Sequence, residues 1–394
     1  MLTSLTLGSL SLGLFLFRIG TPAIFIIDEC LYVPAARAFV ARTADPAPQH
    51  PPLAKIMIAG GIKLLGDRPA GWRFVSAICG SVTLVAIFLW TYVLMRDFAT
   101  ALLAACLTLF NNFLYTMSRI AMLDVIYFAF VMLGILAFTS AILLRDLSLR
   151  KKRFLILLSG VLFGLGAACK WNAVVELGAV VLVVACLFIA DRYNLRELGF
   201  SSLFFGLCIA PVLTYFLAFQ VPWPGSYGSW SVRQFVSANV FIWHWHKLAP
   251  GAPQFNVRWY QWFFKTTPER GMGYLMGNFV VMWAGVPAII YCAWRLWKDR
   301  LGALPAAMVL ALYSVNILQW LVIPQRVTCY YYYYPSAMLL AVAIVVALSK
   351  SPVRAIAGVR LSVLIMVAAT IFFLRCYPNM AALQAPFDCY LGCW

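Results

Sequence analysis

A chain of 394 residues with 64% hydrophobic and 11% charged residues, and a mean hydropathy of +0.89, carries more apolar surface than a soluble fold of that length can bury. This excludes a soluble globular protein and makes lipid the solvent. The net charge of +17, from 30 Lys and Arg against 13 Asp and Glu, argues for membrane topology and membrane lipids, and no nucleic acid partner is expected.

Crossing about 30 Å of hydrocarbon takes roughly 20 residues of helix. Hydropathy predicts eleven such spans, near 4–26, 72–95, 99–115, 122–144, 154–170, 173–190, 199–220, 277–297, 303–323, 334–349 and 356–375. The first lacks a basic leader and an A-x-A site, so it reads as a retained helix. Connections after even-numbered spans ("RDFA", "RDLSLRKKR", "DRYNLRE", "RLWKDR", "KSPVR") hold the basic clusters, while the short connections on the other side hold one cation each. The positive-inside bias then puts the N-terminus in the cytoplasm and two long loops, about 28–71 and 221–276, outside. The fold class is an all-α polytopic membrane protein, with residues 1–394 forming one transmembrane domain and no separate soluble domain.

The first chemistry-bearing feature along the chain is Asp28 beside Glu29, at a membrane boundary in a chain poor in acids. A helix N-cap explains one carboxylate but not two. After them, "LYVPAARAFVA" and "PLAKIMIAGGIKLLG" predict surface helices joined by a turn at "PAPQHPP". Arg119, Lys170 and Arg326 are lone cations at outer helix ends, read either as snorkelling side chains or as partners for a lipid phosphate. Asp124 either pairs with Arg119 or caps the fourth span. Trp171 and Tyr330 to Tyr334 either line a groove or belong to an interfacial aromatic belt. His50, His244 and His246 all fall outside. H-x-H on a strand would aim both rings one way, and with Glu29 would suggest a divalent metal, but two histidines fall short of a zinc site. No cofactor is required. Most cysteines lie in apolar runs, whereas Cys376, Cys389 and Cys393 leave room for one disulfide in the tail.

Several strings together resemble one family. They are "DECLY", "HPPLAK", "GWRFVSAICGSVTL", "SRIAMLD", "CKWN", "WHWHKL" with "RWYQW", "GMGYLMGNFVVMW" and "PQRVTCYYYYYP", collinear from residue 28 to 335. The pattern is similar to the protein O-mannosyltransferases of the GT-C glycosyltransferase superfamily. The resemblance implies an inverting enzyme that moves mannose or another hexose from a polyprenyl- or dolichyl-phosphate donor to an acceptor hydroxyl on the outer face. It matches Asp28 to the base, with Glu29 orienting the acceptor or tuning Asp28, and leaves open which of the two acids is the base. It places Arg119, Lys170 and Arg326 on the donor phosphate with Asp124 holding Arg119. His246 falls near donor or acceptor, His50 is a shared loop histidine, and Trp171 and Tyr332 flank the sugar and polyprenyl chain.

Two departures bear on the acceptor. The second loop reads "APGAPQFNVRWYQW" where the family usually has an "HPY-S-PW" wording, and the large lumenal β-trefoil insertion of eukaryotic members is not found. A short bacterial-type enzyme of the inner (plasma) membrane is expected, with a protein, lipid or glycan acceptor. The alternatives are a lipid A or envelope-glycan transferase of the same fold and, in another class, a polyprenyl-phosphate-sugar flippase. The flippase reading is weakened by the lack of an inverted repeat, and Glu176 is the only clear acid inside a span.

Overall fold

Backbone inside lipid finds hydrogen-bond partners only within its own helix, so long apolar runs fold as helices. The computed structural model describes residues 1–193, 195–220, 231–248, 257–265, 275–299, 303–322, 328–350 and 359–381, and these form helices with no strand among them. In chain order they are α1 (Leu2–Leu16), α2 (Glu29–Ala41), α3 (Leu53–Leu65), α4 (Pro69–Met95), α5 (Phe98–Leu109), α6 (Asn112–Met117), α7 (Leu123–Leu143) and α8 (Leu149–Cys169). There follow α9 (Asn172–Ile189), α10 (Phe200–Phe219), α11 (Val232–Leu248), α12 (Phe279–Asp299), α13 (Leu304–Val322), α14 (Tyr334–Lys350) and α15 (Val359–Met380). Among the described residues nine helices are long and apolar enough to cross a membrane, and the shorter α1 and α5 occupy the first and third predicted spans. The protein is an integral membrane protein.

The central helix is α7, packed between α4 and α8 with apolar side chains buried on all sides. Contact between α8 and α10 depends on Gly160 and Gly164, spaced as small-xxx-small. A Cβ at Gly160 would stand 1.6 Å from the Gly206 carbonyl oxygen, and one at Gly164 2.6 Å from that of Pro211.

The first span departs from its predicted extent, because α1 stops at Leu16 rather than near residue 26. The chain that follows is irregular, and two arginines from elsewhere satisfy its carbonyls. Arg119 donates to Phe15 (2.9 Å), Phe17 and Arg18 (2.9 Å). Arg73, early in α4, donates to Ile19 (3.1 Å), Pro22 (2.9 Å) and Ile24 (2.8 Å). Hydropathy sees apolar residues here, but it does not see partners that make a non-helical path affordable. The two surface helices expected after the acidic pair are present as α2 and α3.

Candidate active site

The irregular strap delivers the acidic pair to one end of the bundle, and the structure then separates the two acids. Glu29 is fully buried. Its Oε1 accepts from Arg73 Nε (2.7 Å) and the Ala121 N–H (2.8 Å), while Oε2 accepts from Arg73 Nη2 (2.8 Å) and the Ile26 N–H (2.9 Å). Four donors saturate both oxygens. Glu29 therefore clamps the strap to α4 and to the segment before α7, and the expectation that it orients the acceptor or exchanges roles with Asp28 is corrected.

Asp28 sits at the N-cap position of α2 without a side-chain capping bond. Its Oδ2 accepts from the hydroxyls of Tyr331 (2.8 Å) and Tyr32 (3.3 Å), and its half-buried carboxylate leaves Oδ1 without a partner among the described residues. Desolvation by burial raises the carboxyl above its ordinary 3.8. The Tyr331 bond, the Lys170 charge and the Tyr32 bond pull it down, and the Asp124 charge pushes it up.

Arg119 is corrected as well. Its guanidinium is occupied by the three carbonyls of the strap and lies 5.1 Å over the Tyr115 ring, so it closes the end of α1 instead of facing a phosphate. Nor does Asp124 hold it. Asp124, in the first turn of α7, accepts through Oδ1 from Lys170 Nζ (2.7 Å), and its buried Oδ2 has no partner. Lys170 itself ends α8, with Nζ 4.6 Å over the Tyr332 ring and 5.5 Å over the Tyr331 ring. One tyrosine thus links the cation to the Asp28 carboxylate. Arg326 lies outside the described residues.

Beside Lys170 opens a cleft of about 660 Å³ lined by His50, Lys170, Trp171, Trp243, His246 and Tyr332, with Asn172, Gln319 and Trp320 among its other walls. Trp171 and Tyr332 form two of its aromatic walls. Trp171 is held by donating to the Tyr215 hydroxyl (2.9 Å), which in turn donates to Asn239 of α11 (2.5 Å), and Tyr332 stacks on Trp320 at 4.8 Å. His50 is fixed from below by a pair that sequence reasoning missed. Buried Lys55 bonds Asp45 and the carbonyls of Ala47 and His50, both at 2.8 Å. The rings of His50 and His246 lie 5.1 Å apart, and burial holds both imidazoles below their usual 6.5. Both are therefore neutral near pH 7, and Lys170 is the charged group of the cleft.

His244 and His246 lie on a helix, not a strand. Two residues apart on α11 they point to different sides, with His246 against the Gln49 carbonyl (3.1 Å) and His244 exposed. No group of three or more His, Cys, Asp or Glu that could hold a metal occurs among the described residues. Of the tail cysteines, Cys376 is half-buried on α15, and Cys389 and Cys393 lie outside the described residues. Another missed residue is Arg73. An arginine five positions into a span signals a buried acid partner, and Glu29 was the available one.

A half-free carboxylate and a buried cation stand together at one end of a helical bundle, and that bundle has the fold of solved GT-C membrane proteins. The described helices superpose with TM-score 0.78 on a chain of the S. cerevisiae protein O-mannosyltransferase Pmt1-Pmt2 complex bound to the sugar donor, over 96% of this chain and 90% of that one at 12% identity. ArnT from Cupriavidus metallidurans bound to undecaprenyl phosphate gives 0.66 over 98% and 66% at 16% identity. At such identities the likeness establishes the fold alone. In sequence, residues 67–223 match the family model of the dolichyl-phosphate-mannose-protein mannosyltransferases. A polyprenol-phosphate-mannose–protein mannosyltransferase of Corynebacterium glutamicum is 24% identical over 77% of this chain and 72% of its own length. One from Mycolicibacterium smegmatis is 28% identical over 44% and 39%. In fold and in sequence alike, the chain is similar to protein O-mannosyltransferases.

Proposed function

We propose that this enzyme transfers mannose from a polyprenyl-phosphate donor to a protein hydroxyl, with inversion, on the outer face of a bacterial plasma membrane. The observation that carries the reading is the Asp28 carboxylate, held through Oδ2 by Tyr331 beside the cleft that Lys170 lines, with Oδ1 bare of partners among the described residues. In the reaction the acceptor hydroxyl gives its proton to Asp28 as its oxygen bonds the anomeric carbon. The bond from that carbon to the phosphate oxygen breaks, and the lipid phosphate leaves with the electron pair. A carboxyl raised by burial is the stronger base for that proton. Lys170, with Arg326, stabilises the departing phosphate.

The neutral histidines and the aromatic walls shape a sugar-sized cleft without adding charge, and His50 and His246 contribute hydrogen-bonding nitrogens at its rim. No metal is assigned a step, because cationic side chains already occupy the phosphate-stabilising role, so chelation with EDTA is expected to leave the rate unchanged. The outer-face placement is supported by the basic connections, which gather at the bundle end opposite the cleft.

The test is transfer of radiolabelled mannose from polyprenyl-phosphate mannose to a Ser/Thr-rich peptide by purified protein. Asp28→Asn should insert and purify normally yet lose about 10²- to 10⁴-fold in transfer. Wild-type turnover in that variant removes the assignment. Label appearing in lipid or glycan while the peptide stays unlabelled moves the acceptor to the envelope-glycan reading, which the ArnT-like fold also accommodates.

A further inference from the structure

At the bundle end opposite the cleft, a solvent-open depression lies among three separate connections. Its rim carries Arg96 from the end of α4, Arg145 from the α7–α8 connection, Lys152 from the start of α8 and Arg192 from beyond α9. Arg96 is anchored by donating to the Leu143 carbonyl (2.8 Å). Arg145, Lys152 and Arg192 form no ion pair among the described residues, unlike neighbouring Arg196, which pairs with Asp191 at 3.2 Å. Two acids on the same wall, Asp146 and Glu197, leave a surplus of two positive charges. Beneath the exposed cations the lining turns apolar, with buried Val93, Leu94 and Ile142.

The positive-inside bias accounts for the number of cations at this end. It does not account for three connections converging four of them, without acid partners, around one depression that has an apolar floor. Converging cations above buried hydrocarbon match a phosphate that is attached to an apolar body. A free phosphate would use the rim and leave the floor unused.

We propose that this depression binds the phosphate headgroup of an anionic phospholipid from the leaflet at that end, with the glycerol region seated on Val93, Leu94 and Ile142. The site is independent of sugar transfer, so its test uses binding alone. Purified full-length protein in detergent is titrated with phosphatidylglycerol or phosphatidylcholine, and bound lipid is counted by native mass spectrometry. Wild type should retain phosphatidylglycerol in preference. The double variant R145Q/R192Q should lose about fivefold in affinity per cation removed. The control R150Q/K151Q removes the same charge from α8 residues outside the lining and should change little. Matching thermal unfolding of all three proteins shows that the comparison is between folded states. Equal losses in both doubles would mean diffuse attraction and overturn the site, as would equal retention of the two lipids. Displacement of phosphatidylglycerol by inorganic phosphate at equal concentration would overturn the lipid assignment in favour of a soluble phosphate.

Discussion

Two ionic regions lie side by side at the active end, built from the same residue types in opposite states of satisfaction. Around the strap, Glu29 takes four donors, and Arg73 and Arg119 are spent on backbone carbonyls and on Glu29 itself. Around the cleft, Asp28 leaves Oδ1 open and Asp124 leaves Oδ2 unpartnered in a buried setting. Buried polar groups are normally paired, and those left over in a well-packed protein ask for an explanation. The saturated charges fix the backbone, whereas the incompletely satisfied ones gather around Tyr331 and Lys170, and Lys170 lines the cleft. Adjacent residues, Asp28 and Glu29, fall on opposite sides of that division.

The sharpest way to break the comparison is to exchange the consequences of removing each acid. Asp28→Asn should cost about 10²- to 10⁴-fold in transfer, the scale of a lost general base, with the unfolding temperature little changed. Arg73→Met should do the reverse in kind. It leaves Glu29 buried without its counter-ion, a loss of about 3–5 kcal/mol in stability, read as poor yield and a lowered melting temperature in detergent. If Arg73→Met folds normally and only turnover falls, Glu29 belongs with the catalytic group after all.

That division explains what could and could not be read from the chain. Helix count and order were legible because lipid imposes a long apolar run for each span, and α1 to α15 follow the predicted order. Asp28, Lys170, Trp171, Tyr332 and the two cleft histidines could be singled out because isolated polar or aromatic residues at span ends are rare enough to notice, and the structure brings Lys170, Trp171, Tyr332, His50 and His246 to one cleft. Partner choice was not legible. Arg119 and Lys170 look alike as lone cations after an apolar helix, yet one bonds carbonyls more than a hundred residues earlier and the other bonds Asp124. Sequence spacing favoured an Arg119–Asp124 pair, and only the packing of α7 against α8 brings Lys170 to that acid. The premature end of α1 was hidden for the same reason, since its compensation comes from α4 and from the segment before α7.

A middle-sized effect sharpens the cleft side. Lys170→Met removes the charge assigned to the leaving phosphate, worth about 10- to 100-fold for a charge-assisted bond. The loss should appear in kcat as well as in donor KM, because the phosphate gains charge as it leaves. Arg119→Met, by contrast, should lower stability with donor KM unchanged in whatever folds. A rise in donor KM for Arg119→Met would return that arginine to the phosphate.

Smaller is the contribution of the neutral histidines to acid stability. Both are held below 6.5 in the folded state, so below about pH 6.5 the unfolded chain takes up protons that the folded one refuses. Stability should therefore fall as pH drops from 6.5 toward 5, and the double variant H50Q/H246Q should lose most of that dependence in melting curves. A histidine pair that instead gained a proton in the folded state would show stability rising over the same interval.

The finest test concerns Tyr331, which joins the carboxylate to the cation. Burial raises the Asp28 carboxyl, so the acid limb of kcat/KM should lie above the ordinary aspartate range near 3.8. The Tyr331 hydroxyl stabilises the charged form and opposes that rise. Tyr331→Phe should then move the limb to higher pH, leaving the rate above the limb within a few fold on the scale of about 1 kcal/mol for a single neutral hydrogen bond. Lys170→Met should move it the same way, because its charge also lowers the Asp28 carboxyl, whereas Asp124→Asn should move it down. A substitution in the strap that preserves folding has no route to the limb, since Glu29 and its arginines are saturated by one another and by backbone. A limb that shifts in three directed steps with the cleft variants alone identifies Asp28 as the titrating group. A limb that ignores Tyr331 places the controlling proton on some other group.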